Sequence, residues 1–267
     1  MLINHRGIGL VVILHILLLA GLLPGLSGCV STSSKQVSPV EVAKANVNLA
    51  AEYFRLGRME AALKAAKKAV FADEQSATAN LLLALIYQQL EQPLLADGYF
   101  ESAVEYVPED SGDFGIVHNN YAAFLCQNSR FLDAGEHFLL AAQNPLYVTP
   151  QHAYENAGIC ALKGNRSKLA ESRFRKALEL QSDMPRSLLE LAKIQYEAEN
   201  FLSARAYFQR YHRVAGGDAK SLFIAMMIER KLGDFDQALL IKNDLKKRFP
   251  DSIETGKLSD NKVESEQ

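Results

Sequence analysis

The chain has 267 residues with 29 Lys+Arg against 31 Asp+Glu, so no excess of basic residues is available to hold a phosphate backbone. A hydrophobic fraction of 48% supplies ample material for a core, while 16 Gly and 8 Pro are too few for a collagenous or low-complexity chain. Three cysteines are too few to build a fold of this length from disulfides.

Residues 1–28 have a secretory layout: a short start carrying Arg6 and no acid precedes an apolar run from Ile8 to Leu23, broken only by His15. That run alone would also suit an uncleaved transmembrane anchor, being close to the ~17–25 residues that span a bilayer. The residues after it separate the two readings. Leu26-Ser27-Gly28-Cys29 combines a branched apolar residue, two small residues and a thiol, the pattern that a lipoprotein signal peptidase needs at its cleavage point. A signal peptide over 1–28 is therefore expected, followed by a mature chain beginning at lipidated Cys29. Several acyl chains, at about 0.8 kcal/mol per buried methylene, hold such a protein stably where one chain would not. Val30 stands where an aspartate would favour retention in the inner membrane, so the expected location is the outer membrane, with the folded domain in the periplasm. Residues 29–42, Ser-rich and containing Pro39, read as the lipidated cysteine and a flexible tether.

Beyond the tether, an alanine followed four and seven places on by aromatic, small or apolar residues recurs along the chain. The set is Ala62/Ala66/Ala69, Ala96/Phe100/Ala103, Ala134/Phe138/Ala141, Ala170/Phe174/Ala177, Ala204/Phe208/Tyr211 and Ala238/Lys242/Leu245. Successive anchors stand 34, 38, 36, 34 and 34 residues apart. An apolar–small step lies upstream of each, at Leu49-Ala50, Leu83-Ala84, Tyr121-Ala122, Ala157-Gly158, Leu191-Ala192 and Ala225-Met226. Gly57, Gly164 and Gly233 mark inter-helix turns, and Pro108 and Pro250 close their repeats. Thirty-four residues is the period of the tetratricopeptide repeat (TPR), a helix–turn–helix unit that buries its apolar faces only by stacking. The expected fold is all-α, a TPR solenoid of six helix–turn–helix repeats forming a right-handed superhelix over 43–252. The repeats are 43–76, 77–110, 115–148, 151–184, 185–218 and 219–252, with insertions at Ser111–Phe114 and Thr149–Pro150. The polar tail 253–267 lacks periodicity and is expected to be disordered.

Cys126 and Cys160 fall late in the first helices of adjacent repeats. They suit two buried small hydrophobes or, in an oxidising compartment, a disulfide. Two thiols without a His cluster do not complete a zinc shell. His118, His137, His152 and His212 are scattered, and no HExxH, GxSxG or Walker sequence is present. His118 reads either as a polar groove contact or as a hydrogen-bonded structural histidine. No catalytic residue, cofactor, metal site or small-molecule substrate is expected.

TPR arrays bind partner segments on the concave face lined by their first helices. Here Val47, Ala51, Phe54, Leu81 and Leu85 would form an apolar mouth near the tether, unless they merely extend the core. Asn119, Asn120, Glu155 and Asn156 would offer hydrogen bonds in the middle of the array. The Lys/Asn/Arg set that clamps a terminal carboxylate in chaperone-cofactor TPRs does not occur in this register.

A lipobox followed by six TPRs resembles the type IV pilus biogenesis lipoproteins of the PilF/PilW, or pilotin, class. Further local similarity lies in His118-Asn119-Asn120-Tyr121 leading to Phe124-Leu125-Cys126, and in Ala153-Tyr154-Glu155-Asn156-Ala157-Gly158 with Cys160. Phe201-Leu202-Ser203-Ala204-Arg205-Ala206-Tyr207, followed by Gln209-Arg210-Tyr211, also looks like that family. The resemblance implies a non-enzymatic assembly factor whose partner is the pilus secretin, carried to the outer membrane or helped to multimerise there. It also implies that Cys126 and Cys160 are paired, and that the N-terminal repeats meet the secretin. The competing readings are a TPR scaffold of the β-barrel assembly machine and an adaptor for cell-wall hydrolases.

Overall fold

In a computed structural model the described residues are 38–258; the lipobox, Cys29 and all of the tether before Ser38 lie outside them, as do residues 259–267. Thirteen helices occur among the described residues. The first helices of the repeats are α1 (Pro39–Arg55), α3 (Ala77–Gln89), α5 (Gly112–Gln127), α7 (Pro150–Lys163), α9 (Pro185–Glu197) and α11 (Ala219–Lys231). Each pairs with the helix that follows it: α2 (Met59–Ala72), α4 (Pro93–Tyr106), α6 (Phe131–Gln143), α8 (Ser167–Leu180), α10 (Phe201–Ala215) and α12 (Phe235–Arg248). A short α13 (Ile253–Lys257) closes the array.

Four of the six first helices start on side-chain caps. Ser38, Ser76, Ser111 and Asp218 each accept from the backbone N–H three residues on, and Ser38 with Glu41 forms a reciprocal capping box. The turn inside every repeat is the same Schellman closure. Arg58, Gln92, Arg130, Arg166, Asn200 and Asp234 donate their backbone N–H to Tyr53, Tyr87, Leu125, Ala161, Gln195 and Glu229 five residues back. The residue before each donor is left-handed: Gly57, Glu91, Ser129, Asn165, Glu199 and Gly233, with φ between 56° and 78°. Four of these six are not glycine. Gly164, expected at its turn, precedes the left-handed residue, which is Asn165.

The alanine–aromatic register is the core. Ala62, Ala96, Ala134, Ala170 and Ala204 are fully buried, with Phe100, Phe138, Phe174 and Phe208 filling the space one turn later. The small step in the first helix is needed for close approach. A Cβ built at Gly158 would stand 2.7 Å from the Phe174 ring, so α7 can lie on α8 only without one. The apolar interior divides mainly into two clusters, one running from Ala50 to Cys160 and the other from Ala161 to Leu258.

Three boundaries differ from the sequence reading. Helix α1 begins at Pro39, inside the segment read as tether, because Ser38 and Glu41 cap it there. The insertion Ser111–Phe114, left outside the third repeat, joins its first helix: Ser111 caps α5, which gains an additional N-terminal turn. Its companion insertion, with the segment leading to it, lays the Tyr147 ring on Gly115, where a Cβ would stand 2.4 Å from the ring. The start of the tail is also ordered: Ser252 caps α13, and Leu258 is 8% exposed in the second core cluster.

Candidate interaction groove

Consecutive first helices lie side by side and expose one common face. At its N-terminal end Phe54, Leu85, Gln88, Gln89, Glu91 and Gln127 line a shallow pocket of about 330 Å³. Gln88 Nε2 donates to Gln127 Oε1 at 2.7 Å, joining α3 to α5 across the rim. The floor is thus apolar and the rim is amide. Val47, Phe54 and Leu85 are half-buried against the core, and Ala51 is exposed. Leu81 is a correction: at 8% exposure it belongs to the core and supports the mouth from beneath.

The polar middle is largely turned to internal work. Asn156 Nδ2 donates to Asn119 Oδ1 at 3.2 Å, linking α7 to α5. Asn120 Nδ2 donates to the Ile116 carbonyl at 2.8 Å. Glu155 Oε1 accepts from the Ser187 N–H at 3.0 Å and from its hydroxyl at 2.8 Å. Met184 supplies no side-chain cap to α9, so Glu155 of the preceding repeat caps that helix. The groove role assigned to Glu155 from sequence therefore yields to a structural one.

Beneath that middle, His118 is 3% exposed, and its Nδ1 lies 2.7 Å from Nδ1 of His137, so one ring donates and the other accepts. Phe114 and Tyr121 pack on this pair. Burial first, and then the neighbouring His137, lowers the His118 pKa to about 4; burial lowers that of His137 as well. His118 is a structural histidine, and sequence spacing gave no signal of its partner on the facing helix. Beside it the Tyr121 hydroxyl donates to Asp97 at 3.0 Å, and burial followed by that carboxylate raises its pKa to about 12. Arg130 closes the group on Asp97 at 2.9 Å.

Cys126 of α5 and Cys160 of α7 form a disulfide with a Cα–Cα distance of 5.7 Å. Both cysteines belong to the first core cluster, at its C-terminal edge, and the bond ties the third repeat to the fourth. Further on, Glu229 is 6% exposed and is paired with Arg205 of α10, which also reaches Asp234 at 3.2 Å. Sequence reading gave this buried charge no role.

Stacked helix pairs with a continuous inner face define a TPR protein. The tetratricopeptide repeat pattern matches residues 43–75. The chain is 30% identical over 237 residues to the type IV pilus assembly protein PilF of Pseudomonas aeruginosa, covering 86% of this chain and 92% of that one. The solved structure of Pseudomonas aeruginosa PilF superposes with a TM-score of 0.70 at 28% identity, over 84% of this chain and 99% of that one. The crystal structure of PilW, a type IV pilus biogenesis factor, gives a TM-score of 0.67 at 30% identity, over 82% and 98%. This chain belongs to the PilF/PilW family of TPR proteins of type IV pilus biogenesis.

Proposed function

We propose that the protein is a pilotin: an outer-membrane lipoprotein, anchored through Cys29, that binds secretin subunits of the type IV pilus and promotes their localisation or multimerisation. The observation that carries this reading is the similarity to PilF, which extends over 92% of that protein and so includes the whole array rather than one generic repeat. The apolar mouth around Phe54 and Leu85, in the two N-terminal repeats, is the proposed secretin contact. A bound subunit takes on the membrane address of the lipid. Tethering also raises the local subunit concentration, which favours ring closure without a nucleotide or cofactor.

The test is an unboiled gel of outer-membrane fractions from a deletion strain, probed for the secretin and complemented with three alleles. The wild-type gene should restore SDS-resistant multimers, whereas Cys29→Ala should fail because the protein leaves the outer membrane. Phe54→Asp should stay in the membrane and still fail. Multimers of normal abundance in the deletion strain would end the pilotin reading. Full rescue by Phe54→Asp would move the contact elsewhere on the array.

A further inference from the structure

The two ends of the array differ in charge. Residues 38–110 carry 6 Lys+Arg against 11 Asp+Glu, whereas residues 185–258 carry 13 against 10. The register of the repeats places part of that basic excess on the inner face. Thr78, Gln88 and Gln89 of α3 correspond to Lys220, Arg230 and Lys231 of α11, and Thr78 corresponds also to Arg186 of α9. In α1 the same places hold Lys44 and Arg55, of which Arg55 is paired with Glu52, so the unpaired cations gather at the C-terminal end. The apolar places persist, since Leu81 and Leu85 correspond to Phe223 and Met227, both half-buried. Lys257 of α13 prolongs this surface, with Nζ 5.6 Å from the centre of the Phe223 ring.

Two of the nearby acids are already engaged: Glu190 holds Lys193 at 2.8 Å, and Glu229 holds Arg205. Glu197, at the place on α9 that matches Lys231, is the one exposed carboxylate of this face that forms no ion pair among the described residues. Among the described residues Arg186, Lys220, Arg230 and Lys231 form no ion pair. A row of uncompensated cations beside an apolar floor is an anion-attracting surface, and the same floor rewards burial of aliphatic or aromatic groups. A concave face cannot lie along a flat bilayer, but it does receive an extended chain.

We propose that the inner face of the last two repeats, over α9 and α11, is a second docking site, for an acidic segment of a protein partner with apolar residues between its carboxylates. Arg186 and Lys220 lie on neighbouring helices whose axes stand roughly 8–10 Å apart. An extended chain advances about 3.3 Å per residue, so the segment that fits carries acids about three residues apart. The site is separate from the apolar mouth, and its occupant need not be the secretin.

The test is selection of a phage library of short random peptides on the full chain in detergent, with prior depletion on the Arg186→Glu/Lys220→Glu/Lys231→Glu variant. All three residues are exposed, and circular dichroism checks that the variant keeps its helicity. Enriched peptides should pair Asp or Glu with Leu or Phe. A synthetic copy should bind the variant at least about tenfold more weakly than the parent. Its affinity should also fall as NaCl rises from about 50 to about 300 mM. Phe54→Asp should leave that affinity unchanged. A selection that yields nothing, peptides without an acidic excess, or equal binding to the variant would overturn the proposal. So would a finding that the cations drive binding to phosphatidylglycerol vesicles while peptides bind equally without them.

Discussion

The first three repeats and the last three share one backbone plan and hold it together with different side-chain chemistry. In the first half the helices meet through rings: Phe100, Tyr121 and Phe124 stack within one cluster, and the His118–His137 pair lies against Tyr121. In the second half Phe174 and Phe208 keep the anchor places, but aliphatic side chains fill more of the interior and a carboxylate is buried against Arg205. The inner faces diverge in the same way, from a pocket with an apolar floor and a rim of amides and the Glu91 carboxylate to a cation-flanked strip. A TPR repeat prescribes volumes at a few places where helices cross; the remaining places are free to set local stability and surface charge independently in each half.

The largest expected effect comes from removing the clasp between the halves. Replacing the disulfide in the Cys126→Ser/Cys160→Ser variant should cost about 3–4 kcal/mol in the chain-entropy picture for a loop of 34 residues. Urea unfolding followed by circular dichroism should also broaden or split, because the third and fourth repeats then lose their covalent link. A single sharp transition at the parental midpoint would show that the halves are coupled by packing alone. Next in size, Arg205→Ala should destabilise the second half by about 3 kcal/mol, since it leaves Glu229 buried without a counterion. Arg205→Met combined with Glu229→Leu should recover most of that loss in the same unfolding assay. A single variant no worse than the double one would show that the ion pair is dispensable.

Acid sensitivity carried by histidine should be confined to the first half. The Asp218 cap of the second half, whose pKa is lowered, against the effect of burial, by hydrogen bonds from Ser221, is lost only below the ordinary aspartate range. His118 and His137 have lowered pKa values in the folded state, so the unfolded chain binds more protons below the ordinary histidine range near 6.5. Stability from this pair is therefore complete above about pH 6.5 and is lost as pH falls toward 4, by about 1–2 kcal/mol between pH 7 and pH 5. Denaturation curves of the parent and of a His118→Phe/His137→Leu variant should converge as the pH is lowered; parallel curves would remove the histidines from the acid response. The smallest effect should be the same in both halves. Glu91→Gly and Glu199→Gly each relieve a left-handed non-glycine turn and should stabilise by about 0.5–1 kcal/mol, read from thermal unfolding. Opposite signs at the two sites would mean that the turns are not equivalent.

The architecture was readable because it depends on spacing along one strand of text. The alanine and phenylalanine places at near-fixed intervals mark where two helices approach, and those residues proved fully or almost fully buried. What escaped reading depends on which side chains meet across neighbouring helices. Nothing in the sequence near Glu155 reveals that α9 lacks its own cap, because the vacancy lies 32 residues downstream. Likewise His118 and His137 are separated by a turn, and their meeting follows from the crossing of α5 and α6. Leu81 has the composition of a groove residue and the burial of a core residue, a distinction set by how far α3 sinks between its neighbours.

The cystine at the midpoint also has a mechanical meaning. A stack in which each unit touches only its neighbours bends like a spring, sharing strain among all of its junctions. Tying one central junction covalently stiffens the waist and leaves compliance to the two arms. With one proposed docking site on each arm, compliance left to the arms would let each adjust to its own partner about a stiff centre.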